Sequence, residues 1–428
     1  MKLGDICSYR TTKFDASEIR DDDLYISTES MAPNRGGVSR ATNIPESGKV
    51  TAYKQGDTLI SNIRPYFKKV WQASCDGYCS NDVLVMSATE SNVDYLYWLT
   101  SSDSFFDYVM ATAKGTKMPR GDKTAIMNFE IPPVNSLVQR QIVAALNPIR
   151  KKISINAKLN GYLEELFDSC FKQSLNMVDE TWDTASLLDI ADYKNGLAMQ
   201  KFRPNIGDKG LPVLKIRELG QESCGKDAER CRSDIDESVT VHDGDLVFSW
   251  SGTLLLRFWA GGDAGLNQHL FKVTSEVYPS WFYYAWTKHH LARFTMLAKD
   301  RATTMGHIKR SALEESEVLL PPKEKLTMQT KCMQPIIDQV IANKIEVRKL
   351  AALRDALLPK LMSGEIDVSK IDLTQLNSHL LHHRMQHTAR IKPRPPANLV
   401  KPRPKIKPNR KRGKAVLGLN PALCQSNK

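Results

Sequence analysis

Short runs of alternating apolar and polar residues, bounded by Gly-Asp turns, give way twice along this chain to long segments of helical period. QGDTLIS at 55–61 and DGDLVFS at 243–249 each read as a strand entered through a Gly-Asp turn. They belong to a series of strings that returns after about 187 residues. LGDI (3–6) comes back as LLDI (187–190), SND (80–82) as LNQ (266–268), and YLYWLT (95–100) as WFYYAW (281–286). TKM (116–118) matches TTM (303–305), and EIPP (130–133) matches LLPP (319–322). A period this long exceeds any solenoid repeat and indicates a duplicated domain.

After each double proline the spacing becomes helical. Ile149, Ile153, Asn156, Leu163, Leu166 and Cys170 fall at three- and four-residue steps in the first copy, and Val340, Asn343, Val347, Leu350, Leu353 and Leu357 do so in the second. Asn147-Pro148 and Gln334-Pro335 read as helix starts, since proline is tolerated in the first turn. This predicts two rods of about 24 residues, each roughly 36 Å long at 1.5 Å rise per residue. An apolar seam needs a partner, and the simplest arrangement pairs the rods antiparallel with one domain at each end. Asn156 and Asn343 sit at equivalent seam positions, where a polar residue costs stability but fixes register.

Composition narrows the function classes. The formal net charge is +12, yet 13 of the 60 Lys and Arg lie after Asp372, where no acid follows, leaving 47 against 48 acids in the body. DNA affinity of the body must therefore come from the arrangement of its charges. The tail from about 374 reads as disordered, and a non-specific attraction to nucleic acid and a passive role are equally open for it. Its histidines 379, 382, 383 and 387 read as flexible polar residues rather than metal ligands. The eight cysteines lack the paired spacing of a zinc site and read as reduced thiols. MKLGDICSYR has no apolar signal core, so secretion is not expected. There is no GxxxxGK[ST] or GxGxxG loop, and IPPV and LPPK replace the Asn or Asp-Pro-Pro-aromatic tetrapeptide of adenine methyltransferases. No catalytic residue and no metal ligand is expected. A two-lobed metal-dependent DNA enzyme and a coiled-coil scaffold without DNA recognition stay open as alternatives.

SNIRPYFKK (61–69), KFRPNIGDKGLPVLKIREL (201–219), SWSGTLLLRFW (249–259), GLNQHLFKV (265–273) and LRDALLPKLMSGEI (353–366) carry a family likeness. The chain resembles the specificity subunits of type I restriction-modification systems over residues 1 to about 370. That resemblance implies a mixed α/β fold with two homologous target-recognition domains (1–133 and 176–322), two spacer helices (134–175 and 323–366) pairing as an antiparallel coiled coil, and a basic tail (367–428). It also implies double-stranded DNA, two methyltransferase subunits and restriction-translocase subunits as partners. S-adenosylmethionine, ATP and Mg2+ would belong to those partners, with no cofactor in this chain and a cytoplasmic, nucleoid-associated location.

Phosphate contacts need Lys, Arg or hydroxyls on loops, whereas base reading needs Arg, Asn, Gln or His at a groove edge. In the first domain this selects Asn62, Arg64, Lys68, Lys69, Lys114, Lys117 and Arg120. The second offers Trp250, Ser251, Arg257, Arg301, Thr303, Thr304, His307, Lys309 and Arg310, with Lys201 and Arg203 beside them. The aromatic runs at 95–98 and 281–286 read as core rather than stacking platforms, and His269 as a satisfied core residue.

Overall fold

The computed structural model describes residues 1–89, 93–300 and 307–368. Two β-rich domains lie at opposite ends of two long helices. Each domain is built on the same four-stranded antiparallel sheet. In the first the strand order is Cys7–Tyr9, Val83–Ala88, Thr58–Ser61, Val70–Gln72; in the second it is Asp192–Asn195, Leu270–Thr274, Leu246–Ser249, Leu256–Phe258.

The Gly-Asp turns set up both central strands in the same way. Gly56 and Gly244 take φ of 91° and 93°, a region a side chain would disfavour. The following aspartates accept from the backbone N–H three residues back, Lys54 to Asp57 at 2.7 Å and His242 to Asp245 at 2.8 Å. Each carboxylate is then neutralised from its own sheet, Asp57 by Arg10 at 2.5 Å and Asp245 by Lys272 at 2.9 Å. A second four-stranded sheet completes each domain, and each contains one parallel pair, Tyr25–Ile26 with Gly77–Cys79 and Leu211–Leu214 with Ala264–Leu266. The aromatic runs are core in both copies: Tyr95, Tyr97 and Trp98, and Trp281, Phe282 and Tyr283, are buried.

The first rod runs Ser136–Leu175 and the second Lys323–Met362, each a helix of 40 residues. At 1.5 Å per residue each is about 60 Å long, well beyond the expected 36 Å. The difference lies in Pro148 and Pro335, which sit inside the helices rather than at their starts. Asn135 is the true cap of the first rod, accepting from Val138 N at 3.0 Å. Asn147 and Gln334 instead tie each rod to its own domain. Asn147 accepts from Trp98 Nε1 at 2.9 Å, and Gln334 accepts from Ser280 Oγ at 3.2 Å and from Trp281 N at 3.3 Å.

The rods pack antiparallel, and their ends are built into the domain cores. Ile142, Leu146, Leu358 and Leu361 join the first core, while Phe167, Met333 and Ile337 join the second. Between Ile149 and Phe167 the seam steps through Ile153, Asn156, Asn160 and Leu163. Leu166 does not belong to it: its side chain is 49% exposed, and the buried neighbour Phe167 takes the place. Leu353 is likewise 40% exposed, with Arg354 buried in its stead. Ile149, Val340, Asn343 and Leu350 are buried; Ile153, Leu163, Val347 and Leu357 are half-buried along the seam.

A polar layer crosses the middle of the pair. Asn343 Nδ2 donates to Asn160 Oδ1 at 2.8 Å, and Asn160 Nδ2 donates to the Val340 carbonyl at 3.3 Å. One turn away Asn156 Nδ2 reaches Glu346 Oε2 at 2.7 Å, where Lys152 adds an ion pair at 3.3 Å. Burying two carboxamides is tolerable because each is hydrogen-bonded, the Asn343 oxygen accepting from Gln339 Nε2 at 2.7 Å, and the bond from Asn343 to Asn160 across the seam disfavours a slipped register.

Candidate nucleic-acid interface

At the end of its central strand each domain forms a cradle from two loops. In the first, Asn62 N donates to Asp82 O at 2.8 Å and its carbonyl accepts from Gly121 N at 3.3 Å. In the second, Trp250 N donates to His269 O at 3.3 Å and its carbonyl accepts from Ile308 N at 2.9 Å. Isolated bridges join Ile63 to Arg120 and Ser251 to His307 at the same places. The backbone scaffold is therefore the same, while the side chains mounted on it differ.

The first cradle is charged. Asn62 is buried, and its amide oxygen has no hydrogen-bond partner. It lines an open recess with Lys114, Gly115, Met118, Arg120, Asp122, Lys123 and Thr124. Arg120 lies 3.3 Å from Asp82, and Lys114 lies 2.7 Å from Asp122. The Lys114 ammonium, with the Ala125 and Thr124 N–H groups, holds the Asp122 carboxyl down at about 2. Arg64 and Lys117 are exposed.

Lys68 and Lys69 are committed elsewhere. Lys68 pairs with Asp103 at 2.7 Å, and Lys69 Nζ donates to the Thr28 carbonyl at 2.7 Å, its pKa lowered by burial. Both act first as struts beneath the cradle, because their charged ends face protein groups.

The second cradle is aromatic. Trp250 Nε1 donates to Asn195 Oδ1 at 2.9 Å, and the ring lies 5.9 Å from His269 and 6.2 Å from His307. His269 is half-buried at the cradle, and its Nδ1 is buried without a partner. It is therefore not a satisfied core histidine. Ser251 is buried, whereas Lys309 and Arg310 are exposed at the rim.

Arg257 departs from the expectation. It lies 3.5 Å from Glu222, which also takes Lys344 of the second rod at 2.8 Å, so it faces the rod and not the cradle. Lys201 and Arg203 are exposed, and Arg203 lines a separate shallow recess with Gln200, Pro204, Lys215, Glu229 and Arg230. Arg301, Thr303 and Thr304 lie outside the described residues.

Three groups escaped the sequence reading. Asn160 lies four residues after Asn156 on the same stripe, so helical spacing alone held the signal for it. Asn195, the partner of Trp250, comes from a distant strand and left none. Arg348 of the second rod grips Asp243 in two bonds, at 2.9 and 2.7 Å, fixing the second domain to the pair. No helix among the described residues is long and apolar enough to cross a membrane.

A family model described as "Type I restriction modification DNA specificity domain" matches residues 179–354. The chain is 21% identical to the type I restriction enzyme MjaIX specificity subunit of Methanocaldococcus jannaschii, over 65% of this chain and 70% of that one. It is 20% identical to the HindI specificity subunit of Haemophilus influenzae, over 85% of this chain and 98% of that one. A crystal structure of a type I restriction-modification S subunit from M. genitalium is 16% identical over 85% of this chain and 98% of that one, with a TM-score of 0.48. Residues 179–354 thus carry a type I restriction-modification DNA specificity domain, and with its duplicated domain plan the chain as a whole is similar to the non-catalytic specificity subunits of such systems.

Proposed function

We propose that the two domains, bounded near 1–133 and 176–322, each read one half of an asymmetric, bipartite site in double-stranded DNA, and that the rods set the unread gap. One observation supports this most: identical backbone cradles at opposite ends of an antiparallel pair carry unlike side chains, Asn62 and Arg120 in one and Trp250 and His307 in the other. Related domains about an antiparallel pair have approximate two-fold symmetry, as DNA half-sites do, and duplex repeats its faces about every 34–36 Å. The stretch of rod between Ile149 and Phe167, about 27 Å at 1.5 Å per residue, is of that order.

Within the complex two methyltransferase subunits and restriction-translocase subunits supply the chemistry, with S-adenosylmethionine, ATP and Mg2+ bound by them. The work then takes place in the cytoplasm, on the nucleoid. Mapping methylated adenines in DNA from cells that express this chain with its methyltransferase tests the reading. A motif of two unlike parts separated by a fixed gap is expected, and a continuous motif contradicts it.

A further inference from the structure

Backbone strain is concentrated in one place. Among the described residues five that are not glycine adopt left-handed φ, and four of them, Asn34, Arg35, Arg64 and Lys68, lie in two loops of the first domain. Such positions cost an L-residue energy that glycine does not incur, and they persist where the surroundings over-determine them, commonly at functional sites. Here the two loops brace each other. Asn34 N donates to Phe67 O at 2.8 Å, Arg35 N to Lys68 O at 3.0 Å, and Arg64 N to Pro119 O at 2.9 Å. The second domain turns the corresponding corner with a glycine, Gly252 at φ 64°.

The four strained residues divide by what their side chains do. Arg35 is 4% exposed; it donates to the Ser101 carbonyl at 2.6 Å and to Asp103 at 2.5 Å, and it lies 3.8 Å from Asp355 of the second rod. Lys68 grips the same Asp103. Partial burial alone would raise that carboxyl, but the hydrogen bonds and charges of Lys68 and Arg35 hold it at about 2. Asn34 and Arg64 are exposed, and Tyr66 between Arg64 and Lys68 keeps 46% of its surface open while its ring leans on Phe67 at 4.6 Å. Arg35 and Lys68 therefore clamp a rigid tip that presents Asn34, Arg64 and Tyr66.

Resting on the function proposed above, we infer that this tip is a base-reading element of the first domain, contacting base edges in the major groove of duplex DNA. An arginine fork suits guanine, a carboxamide suits adenine, and an aromatic edge suits the thymine methyl. Holding these groups on a pre-strained, doubly braced backbone removes the ordering cost they would incur on binding. Loop 31–38 thus joins the recognition surface although it has no match in the internal repeat.

The test uses the full chain co-expressed with its methyltransferase subunit, as wild type, Asn34→Gly, Arg64→Gly and Tyr66→Ala. Methylated-adenine motifs are compared, together with thermal stability. Glycine relieves the left-handed φ, so Asn34→Gly and Arg64→Gly are expected to keep their melting temperature. Each variant is expected to lose about tenfold discrimination at one or two positions of a single half-site, leaving the other half and the gap intact. Unchanged motifs in all three variants overturn the inference. So does a lowered melting temperature in both glycine variants, which marks those side chains as structural. A wild-type protein that yields no gapped motif overturns the underlying function instead, which keeps the two failures distinct.

Discussion

Asn343→Ala removes one half of the carboxamide pair at the middle of the rods. Asn160 Oδ1 and Gln339 Nε2 both lose their partner, and the Asn160 and Asn343 side chains are buried. Leaving a buried polar group unpaired costs about 1–3 kcal/mol, so a loss of about 2 kcal/mol is expected, close to thirtyfold in the unfolding equilibrium. Asn160→Ala should cost a similar amount, since it also abandons the Val340 carbonyl. The double Asn160→Ala, Asn343→Ala variant should cost little more than either single change, giving a coupling of about 1.5 kcal/mol, within the 0.5–3 kcal/mol typical of contacting residues. Replacing both by leucine should be neutral or stabilising, because no polar group is then stranded, while the spacing of the two heads becomes less uniform. Guanidinium titrations of the four chains in the cycle, followed by far-UV circular dichroism, give the coupling directly. Additive single effects, or a double leucine variant weaker than either alanine single, refute the claim that this layer acts as a register pin.

Phe167→Ala should lose about 3–5 kcal/mol, the usual cost of truncating a fully buried aromatic, because Phe167 is 1% exposed where the first rod enters the second core; chemical denaturation checks this, and a change below 1 kcal/mol speaks against that anchoring. His242 has Nδ1 2.8 Å from Asp263 and Nε2 2.9 Å from Glu237, and hydrogen bonding first to Asp263 and then to Glu237 raises its pKa above 6.5. A raised basic group stabilises fully below 6.5 and loses that contribution as pH rises through its folded value. The melting-temperature gap between wild type and His242→Gln should therefore narrow from pH 6 to 9; a constant gap refutes it. His289 and His290, lowered by burial, act in the opposite sense and lose stability as pH falls, but they cancel in that comparison. Gly196→Ala should unfold or strongly destabilise the second domain, since a Cβ there would lie 2.3 Å from the carbonyl oxygens of Asn267 and Leu266; soluble yield and melting temperature report it, and wild-type stability contradicts it.

The duplication was legible because the same turn chemistry is written twice, as Gly56-Asp57 and Gly244-Asp245, and it builds the same sheet twice. Antiparallel pairing followed from seams of matching length. The rod length was not legible, because a proline after Asn or Gln looks like a helix start, and only tertiary bonds to Trp98 and Trp281 reveal Asn147 and Gln334 as mid-helix tethers. Leu166 and Phe167 are adjacent apolar residues, and packing alone decides which faces the partner. Among the expected contact residues, Asn62 lies near Arg120 and Trp250 near His307. Lys68, Lys69 and Arg257 turned to acids or carbonyls that come from distant segments, a choice that residue type alone does not encode. Arg64 was legible by residue type and Asn34 was not, and the strain at both was hidden from the sequence because their φ values are imposed by one loop bracing another.

A hydroxyl-radical footprint of the assembled complex on its own target tests the central claim most directly. Two protected patches on one face of the duplex are expected, unequal in outline and separated by an open stretch near one helical turn. A single unbroken footprint, or patches on opposite faces, contradicts it.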